Sequence, residues 1–236
     1  MRTIAIIPAR GGSERIPRKN LARIEGQTLV RRALETALQA PFACVALSSD
    51  DPEILSESAG LDVVCISRPP ELATSSARAF DVVTHVLDTI EGPDRFDAVA
   101  VIQATSPFTA ACDLGGALAL LEHTGAASVV SVVRAEAALH PLKLKHLGTE
   151  GRLTPYVAED RLTPSHDLPP LWVRNGSIYI SRREVLDRGE LVDEFDVRGF
   201  EMPPERSFDI DTPRDLAFAR FLRDEGTLPG ETVRRP

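Results

Sequence analysis

Thr3-Ile4-Ala5-Ile6-Ile7-Pro8-Ala9-Arg10-Gly11-Gly12-Ser13-Glu14-Arg15-Ile16-Pro17-Arg18-Lys19-Asn20 is the stretch that decides the fold. Five strand-forming residues, Thr3 to Ile7, run straight into a loop holding two glycines and the cations Arg10, Arg15, Arg18 and Lys19. Donors and positive charge therefore crowd the end of a buried strand. In an open α/β sheet that is where ligands lie, and glycines there let backbone N–H groups approach a phosphate closely. The loop has no G-x-x-x-x-G-K-[ST], and its paired glycines are not followed by G-x-x-G. Neither a P-loop NTPase nor a nicotinamide-binding Rossmann domain is indicated. A basic surface loop closed by Pro17 is the plainer alternative.

Outward from this stretch the chain alternates strand and helix. Apolar residues at Leu29, Val30, Ala33, Leu34, Ala37 and Leu38 predict a helix over 28–39. Cys44-Val45-Ala46-Leu47 predicts a strand feeding a capped helix with Pro52 in its first turn. Residues 62–66 predict a third strand, and a helix is expected from Ser75 or Ser76 to about Thr89. Ala98-Val99-Ala100-Val101-Ile102 is apolar throughout, as a parallel strand buried on both faces should be. A helix over 113–122, strands over 128–133 and 177–181, and a last helix over 214–223 complete the pattern. The expected fold is a doubly wound, mostly parallel α/β sheet in a single domain over 1–226, with a loose tail over 227–236. Between 135 and 173, Pro141, Pro155, Pro164, Pro169 and Pro170 break every period. An irregular stretch that long is usually functional or an interface.

Bulk composition narrows the function classes. The 236 residues carry 43% hydrophobic side chains and a formal net charge of -8, which disfavours nonspecific nucleic-acid binding and leaves anion recognition to local basic loops. Cys44, Cys65 and Cys112 lack C-x-x-C spacing, so no zinc ribbon or disulfide framework is expected. The strand positions of Cys44 and Cys65 suggest buried free thiols. The apolar run at Ile4 to Ile7 is too short for a signal peptide, and no stretch approaches a membrane span. A cytoplasmic protein without a membrane partner is the expectation. His85, His123, His140, His146 and His166 show no metal-ligand spacing and are read as structural.

Asp209-Ile210-Asp211 puts two carboxylates at i and i+2, which an extended backbone aims to one side. Two hard oxygen donors, completed by phosphate and water, suit Mg²⁺. Alone, the pair reads better as a helix cap before Thr212-Pro213, worth about 1 kcal/mol. Further motifs favour the metal, with Asp211 serving both roles. Pro-Ala-Arg-Gly-Gly-Ser and Ile-Pro-Arg-Lys-Asn near the start are followed by Arg68-Pro69-Pro70-Glu71-Leu72-Ala73 and Gln103-Ala104-Thr105-Ser106-Pro107. His140-Pro141-Leu142-Lys143, Asn175-Gly176-Ser177-Ile178-Tyr179-Ile180 and Asp209-Ile210-Asp211 come after. In order and spacing this set resembles the acylneuraminate cytidylyltransferases, the CMP-sialic acid synthetase family, over residues 3 to about 220.

The resemblance implies a nucleotide-diphospho-sugar transferase-like variant of the Rossmann sheet, with 135–173 as a small dimerisation and acceptor-binding excursion. It implies a homodimer that transfers CMP from CTP to the anomeric hydroxyl of a nine-carbon keto acid, with Mg²⁺ as cofactor. Arg10, Lys19 and Asp211 then carry the chemistry, with Asp209 and Asp211 holding the metal. Arg10, the amides of Gly11 and Gly12, Ser13, Lys19, Asn20, Arg68 and Ser76 contact the nucleotide. Gln103, Lys143, Asn175 and Tyr179 face the acidic acceptor. Two positions depart from the family pattern: Glu14 stands where a lysine is common, and Ser165 and His166 replace an Arg-Gln pair expected at the acceptor carboxylate. Arg15 is a candidate to replace the first lost cation, and Arg161 or Arg174 the second. The acceptor can accordingly be another nonulosonic acid, an octulosonate or a phosphonate. The other readings are a catalytically weak nucleotide sensor and a sugar-1-phosphate or molybdenum-cofactor nucleotidyltransferase.

Overall fold

The computed structural model describes residues 1–92, 95–157 and 164–224; the tail over 227–236 and Arg161 lie outside them. In chain order the elements are β1 (Thr3–Pro8), β2 (Arg23–Ile24), β3 (Gln27–Thr28), α1 (Leu29–Leu38), β4 (Cys44–Ser49), α2 (Pro52–Ser56), β5 (Val64–Ser67), α3 (Ala79–Ile90), β6 (Ala98–Ile102), α4 (Ala111–Thr124) and β7 (Ser128–Arg134). There follow β8 (Lys145–Leu147), β9 (Leu153–Pro155), β10 (Trp172–Arg182), α5 (Arg183–Asp187), β11 (Val197–Glu201) and α6 (Pro213–Asp224). Seven strands form one sheet in the order β11-β7-β10-β6-β1-β4-β5. Every pairing is parallel except those of β10, which runs antiparallel to both β6 and β7.

Alternation along β1 explains the two covered faces. Ala5 and Ile7 pack with Val30 and Leu34 of α1 and with Leu114, Leu118 and Leu121 of α4. Ile4 and Ile6 point the other way, against Val83, Val86 and Leu87 of α3. A third cluster joins Ile16, Ile24 and Leu29 to Phe108, Ile210, Leu216 and Ala219. It locks α6 and the segment before it beside the loop that leaves β1. Helix starts follow the sequence where a cap is present: Thr28 accepts from Arg31 N at the head of α1, and Asp51 from Glu53 N at the head of α2.

Several expectations are corrected. α3 starts at Ala79, not at Ser75 or Ser76, because the preceding residues form a turn in which Thr74 and Ser76 hydroxyls bond each other at 3.2 Å. The strand expected over 177–181 is eleven residues long and begins at Trp172. Its first three residues, Trp172, Val173 and Arg174, are exposed, so no alternation marks that end. β11 went unforeseen because it is a sheet-edge strand with Arg198, Gly199 and Glu201 among its five residues. The stretch 135–173 is not wholly irregular, since β8 and β9 pair as a short antiparallel hairpin. Cys65 and Cys112 are exposed and Cys44 is partly covered, because β5 is an edge strand and Cys112 lies in the outer first turn of α4. The cap of α6 is Thr212, not Asp211: the Thr212 hydroxyl accepts from Asp215 N at 3.3 Å, and the Asp215 carboxylate accepts from the backbone N–H groups of Asp211 and Thr212.

Candidate functional site

A cleft of about 670 Å³ opens beyond the C-terminal ends of β1, β4 and β6. Its walls carry Arg10, Ser13, Glu14, Arg15 and Lys19 from the first loop, and Arg68 with Thr74 and Ser75 from the turn after β5. Gln103 and Thr105 after β6, Gly176 and Tyr179 on β10, and Asp209 and Asp211 before α6 complete it. The basic turn and the acidic pair, 190 residues apart in sequence, converge here. Lys19 Nζ donates to the carbonyl of Ile210 at 2.8 Å and lies 3.4 Å from Asp211 Oδ1; Arg15 pairs with Asp211 Oδ2 at 3.2 Å.

Each wall has a local cause. Ile210 is fully buried in the third core cluster, and its N–H donates to the carbonyl of Thr105 at 2.9 Å, which fastens this segment to the end of β6. The extended backbone then presents Asp209 and Asp211 on either side of the buried Ile210. The first loop is shaped from below. Asn20, itself buried, donates to the carbonyl of Arg10 at 2.9 Å, and Gly11 N donates to Asp50 Oδ1 at 2.9 Å. A Cβ on Gly11 would sit 2.9 Å from Cβ and Oδ2 of Asp51, so only glycine lets the loop pass. Arg18 adopts a left-handed φ of 55° and is held there by Glu53 at 2.5 Å and Asp51 at 3.5 Å.

The electrostatics suit an anionic ligand with a cation beside it. Arg68 is only 7% exposed, yet its guanidinium donates to neutral oxygens: Ser48 Oγ at 3.2 Å, Ser48 O at 2.7 Å and Leu72 O at 3.2 Å. Burial lowers its pKa, the Asp50 charge raises it, and Arg10 lowers it again. A buried guanidinium beside a second one, bonded only to neutral groups, favours an incoming phosphate or carbonyl oxygen. Burial likewise pushes the Asp209 carboxyl above its ordinary range, opposed by a hydrogen bond from Thr105 and reinforced by the Asp211 charge. Asp209 Oδ1 is buried without a hydrogen-bond partner among the described residues. Burial also raises the Tyr179 hydroxyl, keeping it protonated as a donor.

The sequence-predicted residues divide into two groups. Arg10, Ser13, Lys19, Asn20, Arg68, Gln103, Tyr179, Asp209 and Asp211 line one cleft. Gly11 and Gly12 belong to its loop. Ser76 is exposed next to the wall residue Ser75, and Lys143 lies on the excursion before β8, away from the cleft lining. Asn175 is buried and turned into the protein, with its amide bonded to Ser131, Ser177, Ser207 and Met202. Arg174 is ion-paired with Glu194 at 2.6 Å and does not reach the lining. His166 sits on the exposed turn Ser165–Asp167. Thr105 and Gly176 were not anticipated. Thr105 lies in the turn that leaves β6, closed by Ser106 N donating to the carbonyl of Gln103 at 3.2 Å, and was readable only as a member of the Gln103-to-Pro107 motif. Among the described residues no cluster of three or more His, Cys, Asp or Glu side chains could hold a metal, so the aspartate pair needs ligand oxygens to complete a coordination shell.

A model of the cytidylyltransferase family matches residues 4–227. The chain belongs to this family. It is 30% identical to the N-acylneuraminate cytidylyltransferase of Streptococcus agalactiae serotype V over 92% of its own length and 52% of that protein, and so spans about half of that relative. It is also 30% identical to the CMP-N,N'-diacetyllegionaminic acid synthase of Legionella pneumophila, over 95% of this chain and 97% of the relative. Among solved structures, CMP:2-keto-3-deoxy-manno-octonic acid synthetase complexed with CTP matches with a TM-score of 0.69. At 21% identity, covering 96% of this chain and all of that one, it shows a shared fold. The seven-stranded sheet with one antiparallel member is thus the cytidylyltransferase fold. Among the described residues no helix is long and apolar enough to cross a membrane.

Proposed function

We propose that this protein transfers CMP from CTP to the anomeric hydroxyl of an acidic nonulosonic sugar, releasing pyrophosphate. The convergence of Arg10, Arg15 and Lys19 with Asp209 and Asp211 on one cleft carries this reading. The near full-length likeness to a CMP-N,N'-diacetyllegionaminic acid synthase supports the acceptor class. Arg10, Ser13, Lys19 and the amides of Gly11 and Gly12 take the triphosphate, while Arg68 binds the nucleoside side. The acceptor lies against Gln103 and Tyr179, both in the cleft lining. Its hydroxyl oxygen forms the new bond to the α-phosphorus as the bond to the pyrophosphate oxygen breaks. Asp211, the more exposed carboxylate, takes the hydroxyl proton.

The aspartate pair fits Mg²⁺. Asp209 Oδ1 is an orphaned buried carboxylate oxygen, Asp211 stands beside it, and both are hard oxygen donors. The ion supplies charge neutralisation at the attacked phosphate and the departing pyrophosphate. Before ligand binds, Arg15 and Lys19 serve as counter-ions of Asp211; a triphosphate draws both cations toward itself and frees the carboxylate.

A homodimer accompanies this function. Leu147, Leu153 and Tyr156 on the excursion and Trp172 and Val173 at the start of β10 are exposed large apolar side chains, a concentration that suits a second copy. The reaction is placed in the cytoplasm, where CTP is available. Incubation with CTP, MgCl₂ and a panel of nonulosonic acids, octulosonate and phosphonates, followed by pyrophosphate release and product mass, tests the function. Release with a nonulosonic acid and a CMP-sugar mass is expected. Pyrophosphate appearing only with UTP or GTP, or CTP binding without turnover across the panel, would overturn it.

A further inference from the structure

β10 does not pair evenly with β7. Arg174 stands opposite Val132 and Tyr179 opposite Val130, so five steps along β10 match two along β7. The surplus is a bulge around Asn175-Gly176-Ser177, with Gly176 at a φ of 79°. Gly176 and Tyr179 form one wall of the cleft, so the shape of this bulge sets where that wall stands.

Asn175 holds the bulge. Its Oδ1 accepts from Ser131 Oγ at 2.5 Å and from Ser177 N at 3.2 Å; its Nδ2 donates to Ser207 Oγ at 2.9 Å and approaches Met202 Sδ at 3.3 Å. That uses the full donor and acceptor capacity of a primary amide, in a buried position. Ser207 in turn donates to the carbonyl of Pro203 at 2.9 Å. Three segments thus meet at one side chain: β7, the β10 bulge, and the stretch from Met202 to Ser207 that leads directly into Asp209. On its other flank the same stretch is clamped by Arg206, which donates twice to Asp113 at 2.8 Å.

We propose that Asn175 is a positioning residue, which through Ser207 sets the distance between the Tyr179 wall and the Asp209–Asp211 pair, and that it does not contact the acceptor. The inference rests on the reading of that pair as a metal-holding site. Groups one shell removed from metal ligands typically change affinity or rate by about 10–100-fold when lost. Ser207 is decisive because it lies outside the cleft lining yet shares the bond with Asn175.

The test combines steady-state kinetics with Mn²⁺ binding measured by electron paramagnetic resonance in the presence of CTP. Asn175→Ala and Ser207→Ala should each lower kcat about 10-fold or more and weaken Mn²⁺ binding by a similar factor. The acceptor KM should hardly move. The double variant should be no worse than either single one, and Ser207→Thr, which keeps the hydroxyl, should behave as wild type. Circular dichroism verifies that each variant is folded. If wild type binds Mn²⁺ with CTP and turns over, while Ser207→Ala matches it and Asn175→Ala raises only the acceptor KM, the positioning role is overturned and Asn175 is an acceptor ligand. If wild type neither binds Mn²⁺ with CTP nor turns over, the functional reading itself fails, and this inference with it.

Discussion

Replacing Asp209 by asparagine should make the metal-free protein more stable while removing its activity. In the folded chain the Asp209 carboxyl is pushed above its ordinary range, first by burial and then by the neighbouring Asp211 charge, and its Oδ1 has no hydrogen-bond partner among the described residues. A buried polar group left unsatisfied costs about 1–3 kcal/mol. Asparagine keeps the shape and removes the charge, so a gain of about 1 kcal/mol is expected, or roughly 2–4 °C in Tm for a chain of this size. The sign of the pH dependence follows. A carboxyl raised on folding binds its proton more tightly in the native state. Its cost is absent below the unfolded pKa of about 3.9 and is fully felt once pH exceeds the higher folded value. The stability gap between variant and wild type should therefore close as pH falls toward 4. Melting curves in EDTA at several pH values measure this. Adding Mg²⁺ and CTP at about 100-fold over their Kd should then stabilise wild type by about 2.7 kcal/mol and leave Asp209→Asn nearly unmoved. A variant that melts below wild type in EDTA, or a gap independent of pH, would refute the claim that burying the Asp209 carboxylate costs stability.

Other perturbations act on the supports of the cleft. Arg206→Ala leaves the Asp113 carboxylate, only 3% exposed, with the Ala110 N–H as its remaining partner. The loss of hydrogen bonds to a charged group should cost about 1.5–3 kcal/mol and lower the urea midpoint with an unchanged slope; an unmoved midpoint would show the pair to be idle. Gly11→Ala drives a Cβ to 2.9 Å from Asp51, so it should cost about 1–3 kcal/mol in overpacking and weaken CTP binding in calorimetry. Leu153→Glu with Trp172→Glu should convert a dimer to a monomer in light scattering, and a wild-type monomer at micromolar concentration would remove the proposed second copy.

The parts of this fold that were readable are those whose burial is two-sided or periodic. β1, β4 and β6 are apolar runs because helices cover both sheet faces, and the stripe of α1 faces the sheet as its spacing implies. Strands without such cover left no signal: β11 lies at an edge, and the first three residues of β10 are exposed. The same division holds at the site. The aspartate pair drew attention because two carboxylates at i and i+2 complete the set of motifs that resembles the family, and the structure brings both to the cleft beside Lys19. The cap at Thr212 was masked by that pair, although Thr212-Pro213-Arg214-Asp215 carries its own capping pattern. The internal bonding of Asn175 was not legible for a different reason. Its partners Ser131 and Ser207 are 44 and 32 residues away, and nothing local tells an asparagine that binds ligand from one that ties three segments together.

The single antiparallel strand explains why the cleft and the excursion share one end of the sheet. β7 runs parallel to β6, since both are antiparallel to β10, so β7 ends at the same edge as β1, β4 and β6, where the cleft opens. β10 enters the sheet from that edge. The two ends of the connection, Ala135 after β7 and Leu171 before β10, therefore meet at that same end of the sheet, where Ala135 N donates to the carbonyl of Leu171 at 2.8 Å. A parallel β10 would have needed a crossover to the far edge. Inverting one strand thus brings Gly176 of the bulge and Tyr179 into the lining of the cleft, together with Arg10 and Lys19 of the first loop. If the proposed second copy seats on the exposed Leu147, Leu153 and Trp172 and serves the proposed acceptor site, loss of that copy should raise the acceptor KM and spare CTP binding.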